Sequence, residues 1–249
     1  MNDSRHSIPG GQRPATRGPS NRGPKPPATP HSVDAIAERV LGAIMEHRLP
    51  PGTKLVEDKL AAVFHVSRTK IRQALARLAH DNILTVYPNR GTFVASPTVD
   101  EARHVFNARR LIEPGIVRTV AETATREKLA RLRDSAELES ASRAHNDRRA
   151  IIRLSGEFHI LLAGLTGNPF VVKSVRELAL LTCLIIALYD SPHTPACPHH
   201  EHGEILDAIE AHDGTRAATL MIAHLDHVER TLELHPPTAE EIDFEAVFA

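Results

Sequence analysis

Between Val33 and Val94 the spacing of the apolar residues changes from helical to alternating, and this change restricts the fold more than any other feature of the chain. Val33, Ile36, Ala37, Val40, Leu41 and Ile44 recur at helical spacing behind Ser32, a residue type that caps helix N-termini. Leu49-Pro50-Pro51-Gly52 ends that stripe in a turn. A short helix is expected over Glu57–Phe64, with Leu60 and Phe64 on one side. A third starts from Ser67 as its cap and runs to about Asp81, with Ile71, Ala74, Leu75 and Leu78 inward. Two β-prone segments follow, Ile83–Tyr87 and Thr92–Val94, joined through Pro88-Asn89-Arg90-Gly91 as a hairpin. Three helices and a hairpin in this order make a winged helix-turn-helix.

Beyond Ser96-Pro97 no strand pattern remains. Helical patterns cover roughly 99–122, 125–145, 148–166, 170–190, 199–212 and 214–234, with a break at Gly167-Asn168-Pro169. The expected fold is therefore mainly α: a winged helix-turn-helix over 31–97, then an all-α helical-bundle ligand-binding domain over 98–235. A Pro-, Gly-, Ser- and Arg-rich tail (1–30) precedes them and is expected to be disordered. A C-terminal tail (236–249) carrying Phe244 and Phe248 follows and is expected to be loose. The longest apolar run, around Ala179–Leu188, is interrupted by Thr182 and Cys183 and reads as a buried helix, so no membrane partner is expected. Without a signal-peptide pattern and with only Cys183 and Cys197, a reducing cytoplasm is the expected compartment.

A net charge of −1 conceals an asymmetry: residues 1–97 hold 14 Lys/Arg against 7 Asp/Glu, the remainder 16 against 24. A basic front suits a polyanion. Within it, Arg68, Lys70, Arg72 and Arg77 lie on the third helix apart from its apolar stripe. Arg68 and Arg72 are one turn apart at the helix N-terminus, the end that enters the major groove in a helix-turn-helix. Ser67, Thr69 and the first free amides suit phosphate oxygens. Arg90 at the hairpin tip could reach the backbone or the minor groove. Arg13, Arg17, Arg22 and Lys25 in the tail could add nonspecific affinity.

The segment "LPPGTKLVEDKLAAVFHVSRTKIRQALARLAHDNILTVYPNRGTFV" resembles the DNA-binding part of the GntR family of transcriptional regulators. The resemblance implies that Arg68, Thr69 and Arg72 contact operator DNA, with Arg90 and Gly91 in the wing. Lys70 replaces the usual Pro, which helix geometry tolerates. Asp58 stands where some members place a DNA-contacting Arg, so one base contact should differ.

His159, His202 and His224 each share a helical face with apolar neighbours, on three separate helices. Facing bundle helices are a usual place for a metal site, and neutral imidazole is the commonest ligand. Phe158-His159 before Gly167-Asn168-Pro169, and Glu201-His202 before Ile205, Ala208, Ile209, Asp213 and His224, resemble the FCD type of GntR sensor. That resemblance implies a divalent metal and a small organic acid effector; some members instead bind acyl-CoA without metal. Nitrogen-rich ligation favours Zn²⁺ or Ni²⁺. Ser155 occupies the place of the family's Asp ligand, four before His159; water, an effector carboxylate or His227 could fill that position. Arg109, in the family's R-x-x-x-E segment with Glu113, could hold an effector carboxylate or pair with Glu113. A homodimer on near-palindromic duplex DNA is implied as well. A metal-dependent hydrolase is the alternative from another class, but no general base is recognisable, and no catalytic residue is assigned.

Overall fold

A computed structural model describes residues 31–123, 125–189, 200–233 and 244–248. The basic tail and the loop histidines His193 and His199 lie outside the described residues. The front domain is α1 (Val33–Met45), β1 (Lys54–Leu55), α2 (Glu57–Phe64), α3 (Arg68–His80), β2 (Leu84–Tyr87) and β3 (Gly91–Val94). Ser32 caps α1 by accepting from the Ala35 amide at 3.1 Å, and Ser67 caps α3 by accepting from the Lys70 amide at 3.3 Å. The turn between α2 and α3 passes through His65 in a left-handed conformation, φ 53°. The sheet has three antiparallel strands in the order β1-β3-β2, with Leu84 opposite Val94 and Lys54 opposite Phe93. β1 was not expected; a two-residue strand has no period to read, and only its pairing with β3 defines it.

The second domain is α4 (Val99–Thr123), α5 (Arg126–Ala144), α6 (Arg148–Gly164), α7 (Pro169–Tyr189), α8 (Glu201–Glu210) and α9 (Gly214–Arg230). Each lies within a few residues of its expected span. Asp147 and Asp213 cap α6 and α9 by accepting from the Ala150 and Arg216 amides. Among the described residues, no helix is long and apolar enough to cross a membrane.

The tail expected to be loose contains a short helix, α10 (Phe244–Phe248). Phe248 is buried, its ring 4.9 Å from that of Phe64 on α2. Arg39 of α1 and Arg48 just after it donate to the backbone carbonyls of Phe248 and Val247. One buried aromatic ring is enough to dock so short a helix once a partner surface exists.

The two domains share one apolar core: α1 and the sheet pack with Val105, Phe106, Ile152, Leu180, Leu184 and Ile185. At the junction of α1, α6 and α7, Gly156 lies so close to Cys183 that an added Cβ would meet its Sγ at 3.0 Å and Met45 Cε at 3.5 Å. His47 Nε2 donates to the Cys183 carbonyl (3.2 Å), Asn82 to Glu177 (2.5 Å), and the Tyr189 hydroxyl to the Pro97 carbonyl (2.9 Å). These contacts set the front domain against the bundle from three sides. A second core, built on Val117, Val120, Leu132, Phe158, Ile205, Met221 and Leu225, surrounds the histidines.

Candidate metal centre and nucleic-acid interface

The basic face of α3 is exposed, but its arginines are already paired. Arg72 grips Glu57 with both ends of one edge, Nε to Oε1 at 3.0 Å and one terminal nitrogen to Oε2 at 2.7 Å. This pairing draws the Glu57 carboxyl below its usual range. Arg68 Nε lies 2.9 Å from Asp58 Oδ1. Both carboxylates come from the first turn of α2, which abuts the start of α3. Thr69 is exposed and Lys70 half-buried, beside the Ser67 cap. Arg77 is placed elsewhere: it pairs with Asp34 (2.5 Å) and Glu38 (3.6 Å) of α1 and holds two helices together. Arg90 is exposed at the hairpin tip, 5.3 Å over the Tyr87 ring. Gly91 has φ 104°, a conformation that favours glycine, and it starts the return strand there.

In the bundle, α6, α8 and α9 bring His159, His202 and His224 together. One ligand nitrogen from each lies within 4.8 Å of the others, and all three residues are buried. Phe158 stacks on His202 with ring centroids 4.1 Å apart and fixes that ring's plane. Each imidazole has a carboxylate at Nδ1. His202 Nδ1 is 2.6 Å from Glu139 of α5, and His224 Nδ1 is 2.7 Å from Glu201 of α8. His159 Nδ1 is 2.6 Å from Glu113 of α4, approached too obliquely for a directed hydrogen bond. Burial lowers the pKa of His159 to about 3 and of His224 to about 4, so both rings are neutral near pH 7. Burial pushes Glu113 and Glu139 up, but their cationic and imidazole partners outweigh it. Glu113 ends well below the usual range and Glu139 at about 2.

Carboxylates at Nδ1 of His202 and His224 assign the proton there and leave Nε2 as a lone pair on each ring. Those two Nε2 atoms face each other at 3.3 Å. Two acceptors at that distance repel, and a cation between them removes the conflict. The donor set therefore fits a divalent metal, with the carboxylates orienting the rings from behind.

Two family profiles match the chain: "Bacterial regulatory proteins, gntR family" over residues 32–94 and "FCD domain" over residues 104–227. The chain belongs to the GntR family. It is 28% identical to the Nta operon transcriptional regulator of Aminobacter aminovorans over 199 residues, covering 80% of this chain and 93% of that one. It is 29% identical over 234 residues to the HTH-type transcriptional repressor NanR of Salmonella newport, covering 83% and 87%. A GntR regulator structure from Rhodococcus sp. RHA1 superposes with a TM-score of 0.70 at 25% identity, covering 80% of this chain and 95% of that one. As a GntR protein with an FCD domain, the chain is a DNA-binding transcriptional regulator with an effector-binding domain, and its relatives are regulators, not enzymes.

Within that frame the remaining sequence-derived residues divide clearly. Arg109, expected either to bind an effector or to pair with Glu113, makes the pair: Nε to Oε1 is 2.5 Å, both are buried, and Thr182 Oγ1 accepts from the same guanidinium at 3.2 Å. Ser155 is buried on α6, one turn before His159. His227 is not among the clustered imidazoles; its Nδ1 lies 3.0 Å from Glu201, so it adjoins the centre through that carboxylate. Glu139 was missed. Its signal was its place in line with Leu132 and Ser135, which puts a carboxylate on the inward face of α5.

Proposed function

We propose that the chain is a cytoplasmic, ligand-responsive repressor. It acts as a homodimer joined through its helical domains, and binds a near-palindromic operator through Ser67, Arg68, Thr69, Lys70, Arg72, Arg90 and Gly91. Its sensor would hold a divalent metal, Zn²⁺ or Ni²⁺, on His159, His202 and His224, and take a small organic acid as effector. The similarity to NanR, a transcriptional repressor, supports the sign of regulation. The observation that carries the sensor reading is the 3.3 Å approach of two buried Nε2 lone pairs whose Nδ1 positions are both held by carboxylates.

A bound metal would supply a Lewis-acid position for an effector carboxylate. The protein's own groups do the rest. Glu113, Glu139 and Glu201 fix ring orientation, and Phe158 shields one face of His202. Arg109 balances the charge of Glu113 and reaches Thr182 on α7, so it ties the centre to the helix that also carries Cys183 at the domain junction. An effector that favours one packing of these helices would change the placement of the two reading heads, with a coupling of ~1–3 kcal/mol.

Metal analysis of the purified full chain tests the sensor. About one Zn or Ni per chain is expected, with loss of metal in His202→Ala while duplex binding persists. A metal-free protein that stays folded and still responds to organic acids would overturn the metal reading and favour the acyl-CoA type of sensor.

A further inference from the structure

The DNA-reading surface holds two carboxylates that a surface facing phosphates should avoid. Asp58 is 65% exposed and its partner Arg68 is 60% exposed. An ion pair this open contributes little to folding, so stability does not account for it. Against duplex DNA, each carboxylate also costs affinity by repulsion. What the two acids do have is geometry. Glu57 occupies the Nε edge of Arg72, which is 66% exposed, and leaves the edge between the two terminal nitrogens outside that pair. That edge still carries two parallel N–H donors, the pattern that reads O6 and N7 of guanine. Asp58 lies with Oδ1 2.9 Å from Arg68 Nε and is itself 65% exposed, so its carboxylate stays open to a further partner.

A carboxylate oxygen is an acceptor only. In the major groove the donors are the exocyclic amines, N4 of cytosine and N6 of adenine; guanine and thymine present acceptors at the corresponding places. An exposed carboxylate beside a guanine-reading arginine therefore discriminates between base pairs. We propose that Asp58 is a specificity determinant: it orients Arg68 toward a guanine, and offers its exposed carboxylate to the amine of a cytosine or adenine in the adjoining base pair. This rests on the reading of α3 as the recognition helix.

Selection of full-length protein against a randomised duplex pool tests it, with Asp58→Ala and Asp58→Asn beside the unaltered chain. The unaltered chain should enrich half-sites with one position restricted to cytosine or adenine next to a guanine. Asp58→Ala should flatten that position by about 5- to 10-fold, while the guanine attributed to Arg72 persists. Asp58→Asn, which keeps the shape and one acceptor but adds a donor, should relax the position toward guanine and thymine. If both variants bind every duplex more tightly with unchanged base preferences, Asp58 only tempers charge and the proposal fails. If the unaltered chain enriches no sequence at all, the recognition-helix reading falls with it. Because Asp58 is exposed, thermal midpoints of the three proteins should agree, which separates these outcomes from misfolding.

Discussion

Arg72 with Glu57 and Arg109 with Glu113 are the same chemical pair, a guanidinium held by both oxygens of a glutamate, in two opposite settings. The first sits on the exposed face of α3, with the arginine 66% exposed; the second is buried among the bundle helices, 3% and 1% exposed. In water the attraction is screened and the pair can be exchanged for a nucleic-acid base at small cost. In the interior, each charge has given up its hydration, so neither can leave without stranding the other. The surface pair is thus suited to being handed to a ligand, and the buried pair to fixing geometry. The arginine of the R-x-x-x-E segment, Arg109, is one half of that buried pair.

The contrast can be broken most sharply from the buried side. Arg109→Ala leaves Glu113 buried beside a neutral imidazole and should cost about 3–5 kcal/mol of stability, read from denaturant unfolding. A loss below ~1 kcal/mol would mean that the two pairs do not differ in kind. Arg72→Ala should do the reverse. Stability should stay within ~1 kcal/mol, while specific duplex binding weakens by ~1–3 kcal/mol, measured by titration against a selected site. An operator affinity equal to the unaltered protein's would remove Arg72 from the reading surface.

The smallest effect probes the boundary between the regions. His47 ends α1 with φ 55°, and its pKa is lowered to about 4. Burial is the main cause; Arg148 and Arg149 act in the same direction, while the hydrogen bond to the Cys183 carbonyl acts against them. The unfolded chain takes this proton below the ordinary value of 6.5, whereas the folded chain resists it down to about 4. Stability from His47 is therefore complete above pH 6.5 and falls as the pH drops through that window. His47→Asn, which tolerates positive φ, should show a shallower loss of thermal midpoint between about pH 7 and 5. An unchanged slope would show that His47 is not held neutral by the domain junction.

Much of the architecture could be read before any coordinates, because periodicity and caps are local. Ser32 and Ser67 announced α1 and α3, and the inward histidines announced a cluster. What stayed hidden depends on contacts between distant segments. β1 exists only through β3. The roles of Glu139 and Glu201 exist only because α5 and α8 bring them behind His202 and His224. A buried glutamate on α5 looks like a solvated one until the imidazole opposite it is known. The pairing of Arg68 with Asp58 was equally out of reach, since a departure from the family pattern shows only that a contact changes, not what replaces it.

Gly156 lies one turn before His159 on α6, with a sulfur where its side chain would be. A junction filled to this density has no slack to take up movement. Any tilt imposed on α6 from its imidazole end must be followed by α1 or opposed by it. Under the proposed coupling, the helix would act as a beam seated on a hard pivot, with the front domain beyond the fulcrum.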